Sequence, residues 1–241
     1  NKSGCTGFGY ADGVNVLCGQ TLEMSTDTYN YGRFDTVYKL TNTMSNQCAV
    51  AYDVGCILSP FGMNSNQMGL CVFNLYNSDF ALPPYADDDH RVPMAAVQWE
   101  ILLSGYTSTE TITNFLRNQT DGVKTFTSAS FILVSPVDTQ VIEVSANNHW
   151  VPNKEQTGEK CIVRANNCLT GSALLDTESL PPNISSRLRQ ADLAHSFDAA
   201  KCVNTEWAKV ALSSAVIQTD YCLGTIVIEP KEMKMHVRFR V

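Results

Sequence analysis

A chain of 241 residues, 44% hydrophobic and 17% charged, carries enough apolar material for a packed core and too few charges for a charge-driven disordered chain. Seventeen Lys and Arg against 24 Asp and Glu leave a net charge of −7, which argues against a nucleic-acid backbone as partner, because neutralising phosphates needs clustered cations. Apolar runs stay under ten residues, too short for a membrane-spanning helix, and Asn1-Lys2-Ser3-Gly4 has none of the apolar character of a signal peptide.

Residues 5–11 and 14–19 read as a hairpin closed by Asp12-Gly13, a strong two-residue turn signal. Strand-like segments follow at 36–40 and 48–54. The stretch from Gly62 to Gly69 reads as a polar, glycine-bounded turn leading into a strand over 70–75. The period then changes. Pro93 fits the first position of a helix, with Met94, Val97, Ile101 and Leu102 at helical spacing and Gly105 as its stop. A second helix begins at Ser108-Thr109-Glu110, with Ile112, Phe115 and Leu116 on one face. Strands return at 129–134 and 139–144, joined across Ser135-Pro136-Val137-Asp138, and at 161–165. Helices are expected over 183–197 and 205–216, and strands over 222–228 and 233–241. Strands, two helices, strands, helices and strands in that order predict an α+β fold of two packed, mostly antiparallel sheets with helices outside. No linker or repeat divides the chain, so one domain is expected over 5–241, preceded by a four-residue tail.

Nine cysteines, no two closer than seven positions, include no CxxC pair and no ligand spacing for structural zinc, so neither metal nor cofactor is expected. Their odd number leaves at least one thiol unpaired or bridging to another chain. Sequons stand at Asn1, Asn118 and Asn183. With the cysteine count they point to a secreted or lumenal protein glycosylated at Asn118 and Asn183; chance sequons in a cytosolic enzyme are the alternative.

Cys5 is the candidate nucleophile. A lone cysteine is more often a buried hydrophobe, but its surroundings change the weighing. Gly4-Cys5-Thr6-Gly7-Phe8, Asp12-Gly13 and Gly19-Gln20 resemble the start of the mature β-chain of N-terminal-nucleophile (Ntn) hydrolases. The nearest kin are the penicillin acyltransferase-like (acyl-coenzyme A:6-aminopenicillanate acyltransferase) family, with the choloylglycine hydrolases more distant. Gly62-Met63-Asn64 with Gly69-Leu70 is similar to that family's GxNxxG turn and strand, and residues 129–134 and 142–145 to its central strand pair. Arg164-Ala165-Asn166-Asn167-Cys168 is similar to its Thr-Asn-His-Cys segment. Ser186-Arg187-Leu188-Arg189 resembles the Asn/Ser-x-x-Arg start of its next helix. The resemblance runs from residue 4 to about 240.

The resemblance implies an αββα sandwich and self-cleavage between Gly4 and Cys5. It implies attack by the Cys5 thiol on the amide of a small acylated amine or amino acid, with a thioester intermediate and hydrolysis or acyl transfer as outcome. The freed α-amine of Cys5 would serve as base for its own thiol, so no histidine is required. By the same resemblance Asn166 offers a side-chain donor to the oxyanion, and the backbone N–H near Asn74 offers a second. On residue type alone Asn166 is equally a strand-end turn asparagine. Gln20-Thr21-Leu22-Glu23 departs from the family, which has Gln-Asn-Trp-Asp or Arg-Asn-x-Asp here. Glu23 keeps the charge that would hold the Cys5 amine, one methylene longer, or is a solvated strand-end acid. Gln20, with Tyr76 and Tyr85 in the region 76–91, would contact substrate at an apolar acyl site; these aromatic residues could also simply cap the sheets. An upstream α-segment would be the chain's own partner. The competing expectation is a secreted αββα protein that keeps the fold, has lost turnover and acts by binding, which Thr21, Glu23 and the residues before Cys5 favour.

Overall fold

The computed structural model describes residues 4–23, 36–44, 46–53, 61–75, 91–120, 124–125, 129–145, 149–152, 160–167, 181–218 and 222–239. The chain opens with β1 (Gly7–Ala11) and β2 (Val16–Glu23). Asp12 Oδ1 accepts from the Val14 and Asn15 backbone N–H groups, and Gly13 takes φ +87°, so the expected Asp-Gly turn closes the hairpin. Then come β3 (Thr36–Asn42), β4 (Gln47–Asp53), β5 (Phe61–Asn64), β6 (Gly69–Asn74) and β7 (Arg91–Val92). Helices α1 (Met94–Leu103) and α2 (Thr109–Thr120) precede β8 (Lys124–Thr125), β9 (Ala129–Val134), β10 (Thr139–Ser145), β11 (His149–Pro152) and β12 (Cys161–Arg164). Helices α3 (Pro181–Asp198) and α4 (Thr205–Ala211) lead to β13 (Cys222–Glu229) and β14 (Lys234–Phe239).

One sheet has the order β12-β1-β2-β13-β14 and the other β11-β10-β9-β6-β5-β4-β3, with every pairing in both antiparallel. The period-two pattern of the strands decides what lies between them. On β13, Ile226 and Ile228 face the inter-sheet core with Cys18, Cys71, Phe73 and Ile132. Val227, between them, faces outward with Phe8 and Leu17, against Leu193 of α3 and Ala208 of α4. Helices α1 and α2 cover the other sheet at β4–β5 and β10–β11. The layers are therefore helix, sheet, sheet, helix. This is the αββα sandwich that the sequence predicts.

Polar groups also stitch the two sheets. Gln20 of β2 is buried, and its Oε1 accepts from Val72 N–H of β6 at 2.8 Å. Arg164 at the end of β12 lies 3.6 Å from Glu143 of β10, and both side chains are buried. A charge held in such a place must be paired.

The structure corrects several boundaries. Gly62 belongs to strand β5 rather than to a turn. A Cβ there would sit 2.1 Å from Val50 O, so this glycine marks a close approach between backbones. The turn is confined to 65–68, where Asn64 Oδ1 accepts from Asn66 and Met68 N–H and Gln67 has φ +63°. Strand β2 runs four residues past the expected end at 19, because β1 and β13 pair with its two edges. Pro93 is the residue before α1, in an extended conformation, not its first turn. Helix α4 stops at Ala211, and β7, β8 and β11 were not expected. No helix among the described residues is long and apolar enough to cross a membrane.

The sheets approach each other closely at Gly9, where a Cβ would stand 2.5 Å from Ile132 Cγ2 and 2.7 Å from Val134 Cγ1. Gly9→Ala is expected to cost roughly 1–3 kcal/mol by overpacking, and thermal denaturation should show Tm reduced by at least ~2 °C. An unchanged Tm would mean that the sheets separate at this point without penalty.

Candidate active site

The residues that precede β1 are anchored to β2 by side chains as well as by the ladder. Thr21 N–H donates to Thr6 O at 2.8 Å, and Thr6 N–H donates to Thr21 Oγ1 at 2.9 Å. Thr21 thus performs a backbone-pairing task with its hydroxyl. One step further along, Gly4 N–H donates to Glu23 Oε2 at 2.8 Å. Glu23 is buried, so the reading as a solvated strand-end acid is not what the structure shows.

Helix α3 supplies the opposing charge. Its buried stripe is Ser186, Arg189 and Leu193, at helical spacing. Arg189 is 3% exposed. Its Nη1 donates to Thr6 Oγ1 at 2.9 Å and lies 3.5 Å from Glu23 Oε1, while Nη2 donates to Asn166 Oδ1 at 3.3 Å. Asn166 follows β12, and its Nδ2 donates to Asn74 O, at the end of β6, at 2.7 Å. Next to it, Asn167 Oδ1 accepts from Ser186 Oγ at 2.8 Å and fixes the β12 end to α3.

Cys5 sits at the open end of this network as a half-buried residue with a free thiol. Burial pushes its thiol up to about 12. The Glu23 backbone N–H, donating to Sγ, works against that rise; the Glu23 carboxylate adds to it, the Arg189 guanidinium opposes it, and Cys222 adds a little. With residues before Cys5 attached, the thiol is therefore protonated at neutral pH.

Cys5, Glu23, Asn166 and Asn74 thus come together through Arg189. Gln20 is on the same strand but turns to the other sheet, where its oxygen is taken by Val72 N–H. Tyr76 and Tyr85 lie outside the described residues. Asn118 falls in the last turn of α2 and Asn183 in the first turn of α3, with side chains outside the description. His236 pairs with Glu229 at 2.5 Å on β14 and β13, and no group of three His, Cys, Asp or Glu among the described residues is placed to hold a metal.

Arg189 is the site residue that sequence reasoning missed. It entered only as part of a helix-start motif. The signal was the helical phase: Arg189 falls four residues before Leu193 on the face a helix must bury, where an arginine needs a specific partner.

No family model and no curated protein matches the chain. Solved structures do. Penicillin V acylase from Agrobacterium tumefaciens superposes with a TM-score of 0.64 over 98% of this chain and 83% of its own, at 14% identity. A mutant of the conjugated bile acid hydrolase from Clostridium perfringens gives 0.61 over 98% and 89%, at 10% identity. The Caenorhabditis elegans ortholog of N-acylethanolamine-hydrolyzing acid amidase gives 0.54 over 94% and 92%, also at 10%. The fold is thereby that of the Ntn hydrolases. The finer resemblance, to the penicillin acyltransferase-like branch, is not what these neighbours establish.

The raised thiol has a measurable consequence. While Asn1–Gly4 remain attached, iodoacetamide at pH 8 should modify exposed Cys202 ahead of Cys5. Cys5 labelling should keep rising with pH through pH 9.5 without a plateau, because thiolate, not thiol, is the nucleophile. Peptide mass mapping reads both sites; a plateau for Cys5 near pH 8 would contradict the stated environment.

Proposed function

We propose that the protein is a cysteine Ntn amide hydrolase or acyltransferase that first cuts its own Gly4–Cys5 bond and then acts on the amide of a small acylated amine or amino acid. The observation that carries this reading is the convergence of Cys5, Glu23, Arg189, Asn166 and Asn74 O at the end of the β1–β2 pair. The names of the structural neighbours support it: a penicillin V acylase, an N-acylethanolamine-hydrolyzing amidase and a conjugated bile acid hydrolase. A secreted or lumenal location, glycans at Asn118 and Asn183, and an upstream α-segment as partner belong to the same proposal.

In self-cleavage, Sγ of Cys5 forms a bond to the Gly4 carbonyl carbon, the C–N bond breaks, and the thiol proton ends on the Cys5 nitrogen. The product is a thioester. Water hydrolyses it to a Gly4 carboxyl group and the restored thiol. The amine set free has a reference pKa of about 7.7–8.0 and can accept the proton of its own thiol. Substrate chemistry repeats the sequence with an external amide: Sγ takes the acyl group, the amine departs with a proton, and water or a second amine receives the acyl group.

Asn166 suits the oxyanion. Its amide carries two N–H groups, of which one is committed to Asn74 O. Its Oδ1 is held by Arg189, so the side chain is fixed before charge develops. A fold-retaining binding protein is the second reading, favoured by the protonated thiol and by glutamate in place of aspartate. Intact mass and N-terminal sequencing separate the two. The leading reading expects loss of residues 1–4, turnover in a panel of N-acyl amino acids, penicillins and acylated β-alanyl amines, and loss of both in Cys5→Ala without loss of fold. Turnover in Cys5→Ala would overturn it.

Asn166→Ala should lower kcat by about 10²–10³ with KM little changed, since the donor acts on charge present only in the transition state. Asn166→Asp keeps an acceptor for Arg189 but sets a carboxylate against Asn74 O and the oxyanion, and should be worse. Steady-state kinetics with a melting curve for each variant check this; wild-type kcat in Asn166→Asp would remove the residue from the site.

A further inference from the structure

Residue 23 grips the acyl side of the bond that the proposed reaction would break. Its carboxylate Oε2 accepts from Gly4 N–H at 2.8 Å, on the acyl side of the Gly4–Cys5 bond. Its other oxygen, Oε1, lies 3.5 Å from Arg189 Nη1 in a buried setting, which fixes the carboxylate. The residue held at the acyl side is a glycine, the residue type with the greatest backbone freedom. Left unpinned, Gly4 would present its carbonyl to Sγ in only a small fraction of its conformers.

We infer that Glu23 is the positioning residue for self-cleavage: its side chain, itself fixed by Arg189, pins Gly4 and so sets the Gly4 carbonyl for the approach of Sγ. This rests on the proposed Ntn reading and goes beyond a role in holding the Cys5 amine, because the contact falls one residue earlier and exists only before the cut. The length of the side chain is what allows it. An aspartate at 23 would be shorter by one methylene and would fall short of the Gly4 N–H while keeping its charge. A misplacement on the order of 1 Å at a reacting centre costs about 10²-fold in rate.

The test ranks three side chains by the rate at which the full chain loses residues 1–4, followed by intact mass. Glu23 should cleave fastest. Glu23→Gln keeps length and an acceptor oxygen and should come next. Glu23→Asp should be slowest, about 10²-fold below the wild type. A role confined to charge balance with Arg189 predicts the opposite order for the two variants, and that order, or wild-type cleavage in Glu23→Asp, overturns the inference. A second measurement does not depend on cleavage. In a Cys5→Ala background, 15N-glycine labelling and amide exchange should show a protected Gly4 N–H that becomes unprotected in Cys5→Ala/Glu23→Asp, with the other assigned glycines unchanged. A Gly4 amide that exchanges freely in Cys5→Ala itself overturns the inference. If the wild-type chain neither cleaves nor turns over any amide, the functional reading fails and takes the inference with it. If it does both and the ranking is not obeyed, the inference alone fails.

Discussion

The guanidinium of Arg189 is the group on which the site depends. It is buried, and a buried cation without partners would be strongly destabilising. Its partners come from three segments distant in sequence: Thr6 before β1, Glu23 at the end of β2 and Asn166 after β12. The demand for pairing therefore converts one helix residue into a clamp that draws the ends of three strands together. Those strands are neighbours in a single sheet, β12-β1-β2, so the clamp closes over a surface that the ladder has already aligned. Asn166 is in turn tied to Asn74 O of β6, which belongs to the opposite sheet. The site lies at an edge of the sandwich where both sheets contribute, and its polar atoms are held by groups rigid on their own account.

Much of the fold was legible because the strands obey a simple alternation. In β13, Ile226 and Ile228 face one core and Val227 the other. In β9 every residue is buried and all but Ser130 are apolar, as suits a strand flanked on both edges by β6 and β10. What was illegible was of a different kind. Gly62 looks like turn chemistry in a sequence, because the carbonyl of Val50 that makes glycine necessary comes from another strand. The end of β2 reads as irregular because Gln20, Thr21 and Glu23 are polar. Each is buried for a reason outside the strand: Val72 N–H, Thr6 and Arg189 respectively. Two-residue strands such as β7 and β8 carry no periodicity to read.

The same distinction runs through the site. Cys5, Glu23, Asn166 and Asn74 could be named because a resemblance in order and spacing places them. Their mutual contacts could not, since each contact depends on α3 arriving with Arg189 in the right phase. Gln20 shows the converse. Its expected role is as a substrate contact, and strand alternation turns it toward the other sheet, where its oxygen accepts from Val72 N–H. That residues 20 and 23 fall on opposite faces of one strand is an argument available from the sequence alone.

Charge accounting explains why the uncut chain is a poor nucleophile and what the proposed cut would change. Before it, Arg189 and Glu23 cancel, and the thiol of Cys5 faces a desolvated site with no net positive charge to stabilise a thiolate. The result is a protonated thiol, pushed up to about 12. Breaking the Gly4–Cys5 bond removes the Gly4 N–H from Glu23 and adds an amine on the residue that carries the thiol. At neutral pH that amine is mostly ammonium. It adds a positive charge within a few bonds of Sγ and opens the site to water where Gly4 had been. Both changes favour the thiolate, one by Coulomb attraction and one by solvation. Glu23, relieved of Gly4, would then stand as a carboxylate beside the ammonium. On this argument the proposed self-cleavage would supply the missing charge to a thiol that the uncut chain keeps protonated.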